Sequence, residues 1–125
     1  MADDEVLALA DRLFKAIEAK DLDAVRALYA PDIVVWANFN DRGQDVERAL
    51  RSLGWLLERL AEPRYDVRRR DEIPGGFLQE HVLCGVAPDG SPVAMPACIV
   101  AKVEGGLITS INEYLDPAGV AALSA

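Results

Sequence analysis

The stretch Gly76-Phe-Leu-Gln-Glu-His81-Val-Leu-Cys-Gly-Val86-Ala-Pro-Asp-Gly-Ser91-Pro-Val-Ala-Met-Pro96-Ala-Cys-Ile-Val-Ala101-Lys-Val-Glu-Gly-Gly106-Leu-Ile-Thr-Ser-Ile111-Asn-Glu-Tyr-Leu115 decides the fold. It reads as three consecutive antiparallel strands broken at Asp89-Gly90 and Gly105-Gly106, pairs suited to turns whose two central residues need positive φ. Counting outward from two-residue turns sets His81 opposite Cys98 and Cys98 opposite Glu113, a single row across three strands. Alternation then predicts one face carrying His81, Pro96, Cys98, Val100 and Glu113, and a second carrying Leu78, Val82, Cys84, Met95, Ala97, Ile99 and Tyr114. Both faces are largely apolar. Helices are therefore expected on one side and a second copy of the chain on the other, a homodimer through Leu78, Val82, Ala97, Ile99 and Tyr114. A bulge, for which Pro96 is a natural place, would move Glu113 off the face of His81.

Working outward, Val6, Leu9, Ala10, Leu13, Phe14 and Ile17 recur with the helical period, with Asp3 or Asp4 available as a cap. Asp21 can cap a short second helix, which Pro31 stops near Ala30, and Ile33 to Trp36 reads as a strand. Asn38 to Gly43 is a polar turn. A third helix is expected from Gln44 to Ala61, with a leucine-rich core stripe and Trp55 on the opposite side, where it suits a contact surface. Arg64 to Ile73 reads as a polar edge strand whose Arg68-Arg69-Arg70 is balanced by flanking acids, and Asp116-Pro117 opens a terminal helix. The order predicts an α+β fold, a single domain over residues 1–125.

The composition, 51% hydrophobic and 27% charged, is that of a folded protein, and a net charge of −8 argues against nucleic acid as a partner. No apolar run suits a membrane span and the acidic start is unlike a signal peptide, so a soluble, cytoplasmic protein without a membrane partner is expected. Cys84 and Cys98, placed on opposite faces by the count, should be free thiols. With one histidine and no ligand spacing, no metal and no cofactor are expected.

Three stretches carry a resemblance: Leu13-Phe-Lys-Ala-Ile-Glu-Ala-Lys-Asp-Leu-Asp-Ala-Val-Arg-Ala-Leu-Tyr-Ala-Pro-Asp32, Gly76 to Gly85, and Gly106 to Asp116. Together with the element order they resemble the SnoaL-like branch of the nuclear transport factor 2 superfamily, which also holds ketosteroid isomerases and limonene epoxide hydrolases. The resemblance implies an NTF2-like cone, a curved antiparallel sheet packed on three helices from the N-terminal half, enclosing an apolar pocket and dimerising through the outer sheet face. Carried over residue by residue, the isomerase's tyrosine falls at Leu13, its general-base aspartate at Ala37 and its second aspartate at Cys98 or Ile99. None is retained. The histidine that many SnoaL-like relatives carry at the place of Ala37 is missing too, and the epoxide hydrolase's two aspartates bridged by an arginine are not recognisable.

What remains for chemistry is His81 as acid or base, with Glu113 on the same face to tune it. Asn38, at the expected mouth, can polarise a carbonyl. The candidates for lining a substrate site are Trp36, Asn38, Phe14, Leu13, Cys98 and Met95, although core packing or a turn role explains each as well. Two functions stay open. One is a cofactor-independent cyclase, isomerase or lyase acting on a small apolar, carbonyl-bearing molecule; the other is a non-catalytic ligand-binding or association module.

Overall fold

A computed structural model describes residues 2–124 of the chain. Helix α1 (Ala2–Glu18) lays Leu9, Ala10, Leu13, Phe14 and Ile17 against the sheet, as its period predicts. The capping role expected of Asp3 or Asp4 falls on side chains outside those described. Asp21 caps α2 (Leu22–Leu28) by accepting from the Ala24 amide at 3.0 Å, and strand β1 (Tyr29–Ala37) follows without a loop. The expected polar turn closes a hairpin onto a short strand, β2 (Arg42–Gln44). Asp45 caps α3 (Val46–Arg59), which is shorter at both ends than expected. Strands β3 (Ala61–Ile73), β4 (Gly76–Val86), β5 (Pro92–Glu104) and β6 (Leu107–Leu115) complete the sheet, and α4 (Pro117–Ser124) closes the described chain.

The six strands lie in the order β2-β1-β6-β5-β4-β3. All neighbours run antiparallel except β1 and β6, which are parallel. The fold is α+β with helices on the concave side of a six-stranded sheet, the NTF2-like cone. Its core divides in two. One cluster joins α1, Val25, Leu50 and Leu57 to Phe77, Ile99, Ala101, Ile108 and Ile111; the other gathers Leu60, Leu83, Ala87, Val93 and Met95 around Leu123 of α4.

The register differs from the two-residue count at two places, for identifiable reasons. The β4–β5 connection holds five residues, Ala87 to Ser91, because the Asp89 carboxylate captures both the amide and the hydroxyl of Ser91, at 2.9 and 2.6 Å, and the Ala87 amide donates to the Ser91 carbonyl at 2.9 Å. His81 consequently pairs with Ala97. The β5–β6 turn does hold two residues, Gly105 and Gly106, both at positive φ (59° and 78°). A bulge between Lys102 and Val103 follows, where the Val103 amide donates to the Gly75 carbonyl at 2.8 Å, so Ile99 pairs with Glu113. Each device shifts the pairing by one residue, and between β4 and β6 the shifts add to two, so that the row of His81 runs through Ala97 to Leu115 but the alternation of faces is kept. His81 and Glu113 share the concave face, while β5 is turned over: Met95, Ala97 and Ile99 point inward, and Pro96, Cys98 and Val100 outward.

Two expectations need correcting on this account. Ala97 and Ile99 are not on the outer surface, whose apolar side chains are Val34, Trp36, Leu78, Val82, Val100 and Tyr114; Val34 is 50% and Tyr114 47% exposed. Cys84 and Cys98 are free but lie on the same, outer face, opposite Ala94 and Glu80. Glu80, the partner of Cys98, lies four residues from Cys84 along β4, about 13 Å, so no disulfide can close. No helix among the described residues is long and apolar enough to cross a membrane.

Candidate active site

A cavity of about 590 Å³ opens between the two core clusters, floored by the concave sheet and roofed by α1 and α3. Leu13, Phe14 and Met95 line it, as do His81 and Glu113. Three expected lining residues are elsewhere. Cys98 is on the outer face because β5 is turned over. Trp36 is also outside, its indole donating to Asp41 at 2.8 Å and its ring edge-on to Tyr114 at 5.3 Å. Asn38 extends the β1–β6 ladder with its side chain, accepting from the Leu115 amide at 2.9 Å and donating to the Leu115 carbonyl at 3.2 Å, so its amide is not available to a carbonyl in the cavity. Trp55, by contrast, is not on a solvent face. The α4 cluster folds against its side of α3, the indole lines the cavity, and the Arg59 guanidinium carbon sits 4.4 Å from its ring centroid.

One row of inward positions crosses all six strands: Arg70, Gln79, Ile99, Glu113, Ala37 and Arg42. His81 stands two residues along β4 from this row. With two strand spacings between them, His81 and Glu113 have backbones roughly 12 Å apart and do not touch. They meet only across the cavity.

The state of His81 follows from a chain of hydrogen bonds. Arg70 Nε donates to Gln79 Oε1 at 2.6 Å, and a guanidinium has no acceptor, so the Gln79 oxygen must face Arg70. The Gln79 amide nitrogen therefore faces His81 Nδ1, 2.9 Å away, as a donor. Nδ1 accepts, and the ring proton sits on Nε2. Arg70 also reaches Asp11 Oδ1 at 3.4 Å, and Asp11 pairs with Lys15 at 3.0 Å. Desolvation among Phe14 (5.5 Å) and Tyr65 (4.7 Å), together with the nearby Arg70 charge, pushes the imidazole down to about 4. His81 is thus a neutral imidazole at pH 7 with Nδ1 engaged by Gln79, which leaves it, of the acid and base roles expected from its sequence, that of a donor.

Removing the arginine tests this chain. In Arg70→Met the Gln79 amide loses the contact that orients it, so ¹⁵N-detected imidazole spectra should change from a single Nε2–H tautomer to a mixture, with titration moving from about 4 toward 6.5. An unchanged spectrum, or an imidazolium in the unaltered protein at pH 7, would refute it.

Glu113 is the group that titrates near neutrality. Burial in the apolar cavity pushes its carboxyl up to about 7, and among the described residues no side chain hydrogen-bonds or ion-pairs with it. Tyr29 and Tyr65 line the same cavity, and burial, reinforced by the Glu113 charge, raises both phenols well above their ordinary value. They stay protonated, and among the described residues their hydroxyls have no protein acceptor. Neither was evident from sequence, although Tyr65 had a signal: in Tyr65-Asp-Val-Arg it holds an inward position of β3, opposite Leu83. Among the described residues no three His, Cys, Asp or Glu side chains gather where they could hold a metal.

The sequence over residues 10–111 matches the SnoaL-like domain family. The chain belongs to that family. The SnoaL-like domain also has solved structural relatives, and these share its fold at low identity. An epoxide hydrolase of the limonene-epoxide-hydrolase-like type from M. tuberculosis is 20% identical, with a TM-score of 0.81 over 99% of this chain and 92% of that one. A protein described as a SnoaL-like polyketide cyclase from Jannaschia sp. CCS1 is 19% identical, with a TM-score of 0.82 over 98% and 94%. PrhC from Penicillium brasilianum is 14% identical, with a TM-score of 0.85 over 98% and 87%. No curated protein matches this SnoaL-like domain in sequence.

Proposed function

We propose that this SnoaL-like domain is a cofactor-independent enzyme of the cyclase or isomerase type, which moves a proton beside the carbonyl of a small apolar molecule. The observation that carries this is Glu113, an unpartnered carboxyl near pKa 7 in an apolar cavity that also holds two neutral phenols. A base poised at the working pH is what proton abstraction from carbon needs. Glu113 takes the α-proton, and the C–H electron pair becomes the enolate double bond. The negative charge on the carbonyl oxygen is met by hydrogen bonds from Tyr29 or Tyr65 and from His81 Nε2–H. Where the substrate carries a β,γ double bond, the dienolate regains the proton from Glu113 at the γ-carbon and the double bond moves into conjugation, which is isomerisation; where it carries a second carbonyl, the α-carbon attacks that carbonyl carbon, whose oxygen takes the proton, which closes a ring. Relative to the roles expected from sequence, Glu113 and His81 exchange places, and the tyrosines stand where Asn38 was expected to act. Ala37, the position to which the resemblance assigns a base, pairs directly with Glu113 across the β1–β6 ladder, so a carboxylate from the neighbouring strand reaches the same region.

The test is deuterium exchange. Incubated in D₂O with a panel of apolar ketones and diketones, the protein should catalyse exchange at the α-carbon of those that fit the cavity. Exchange with none of them, alongside measurable binding, would decide for a non-catalytic binding module.

The outer sheet face supports a homodimer, since Val34, Trp36, Val82, Val100 and Tyr114 form an apolar surface that no helix among the described residues covers. Light scattering at micromolar concentration should give twice the chain mass; 13.6 kDa would refute the dimer.

A further inference from the structure

The cavity's charged lining runs against the character of the chain. Although the chain has 21 acidic and 13 basic residues, among the described residues Glu113 is the one acid that lines it, whereas two arginines do, Arg42 and Arg51. Both arginines are exposed at the mouth, Arg42 at the β2 end of the transverse row and Arg51 on α3, beside Gln44 and Ser52, which bond each other at 3.0 Å. Among the described residues neither guanidinium has an ion-pair partner. The nearby acids are otherwise engaged. Asp41 accepts from the Trp36 indole, Asp45 caps α3, and Glu47, which feels the charge of Arg51, is held by two bonds from Arg26 at 2.7 and 3.0 Å.

From this arrangement we infer that the ligand is an amphipathic anion, an apolar carbonyl-bearing body ending in a carboxylate, with Arg42 and Arg51 holding the carboxylate at the mouth while the body fills the cavity. This rests on the reading of the cavity as a substrate site. Fork-shaped guanidinium donors match a carboxylate's two oxygens, and two of them at the rim of an acidic protein make the opening the place where an anion is tolerated. The polarity also sets direction: the anionic end stays out in water, and the reacting carbonyl goes inward toward Glu113 and the phenols.

Two dyes that share one skeleton separate charge from shape: 8-anilinonaphthalene-1-sulfonate, whose sulfonate stands in for the carboxylate, and neutral N-phenyl-1-naphthylamine. By fluorescence titration at low salt, the sulfonate should bind about tenfold more tightly than the neutral dye, and added salt should erode the difference. In Arg42→Gln/Arg51→Gln the sulfonate's affinity should fall about tenfold while that of the neutral dye changes less than twofold. Filling the cavity with Ala97→Phe, or the milder Ala97→Leu, should weaken both dyes, with circular dichroism confirming the fold. Equal affinities for the two dyes, a matching loss of both in the arginine variant, or sulfonate binding indifferent to Ala97 would each overturn the inference. The catalytic reading is judged separately: anion preference without α-carbon exchange would remove catalysis and leave this inference standing, and exchange of uncharged ketones without anion preference would do the reverse.

Discussion

Replacing Glu113 by glutamine is expected to slow α-carbon exchange by about 10²–10⁴-fold, the range that a positioned general base supplies. Glutamine keeps the volume and polarity of the side chain but cannot take a proton, so packing changes little. In the unaltered protein the rate should rise with pH as the Glu113 carboxyl ionises, around pH 7, and then level; in the variant that rise should vanish. His81→Gln is the informative companion. Because His81 serves as a neutral donor, an amide in its place should cost less than about tenfold, whereas a loss equal to that of Glu113→Gln would restore the histidine as the base. Exchange that survives in Glu113→Gln at the unaltered rate would remove the mechanism.

The second large effect is on stability, and it is concealed in the unaltered protein. Glu113 titrates at about 7 when folded against an ordinary 4.5, so between those pH values the folded state holds a proton that the unfolded state has lost. Stability from this group therefore falls as pH rises from 4.5 to 7. His81 titrates at about 4 when folded against an ordinary 6.5, so between those values the unfolded state holds the extra proton and stability rises with pH. Shifts of this size are each worth on the order of 3 kcal/mol. The two slopes oppose each other over nearly the same window, and urea denaturation of the unaltered protein should be almost flat from pH 4.5 to 6.5. Glu113→Gln should uncover the histidine slope, losing about 3 kcal/mol as pH falls from 6.5 to 4, and His81→Gln should uncover the opposite one. A flat profile in either variant would show that its remaining partner is not buried as described.

The elements were largely legible because each announces itself locally. The apolar period of α1, the caps Asp21 and Asp116, and the glycine pair at 105–106 all act within a few residues of where they stand. The site was less so, since what defines it is not local. Arg70 is flanked in sequence by the acids Asp66, Asp71 and Glu72, and without the bulge at Arg68 it would face outward opposite Leu78; with the bulge it pairs with Gln79 and turns in. Bulges depend on distant bonds, as the Val103 amide reaching Gly75 shows, and nothing near Val103 in sequence signals that choice. Tyr29, Tyr65, Arg42 and Arg51 come from four separate elements, and only the folded sheet and helices bring them to one cavity. The two-residue count puts His81 and Glu113 on one face although it misses both devices, because two shifts of one residue add to an even number and keep the alternation of faces.

The two devices act on the sheet as successive frameshifts of one sign act on a gene, the frame here being two residues long. Between the five-residue loop and the bulge β5 is read out of phase, and beyond them the original facing resumes two residues along. A one-residue change in either device alone carries His81 or Glu113 to the far side of the sheet and dismantles the site. Changes in both leave the walls standing and exchange the floor, replacing Met95, Ala97 and Ile99 with Pro96, Cys98 and Val100. The strand thus carries two alternative floors, one of them bearing a thiol, and paired length changes at the loop and the bulge exchange them while His81 and Glu113 keep the concave face.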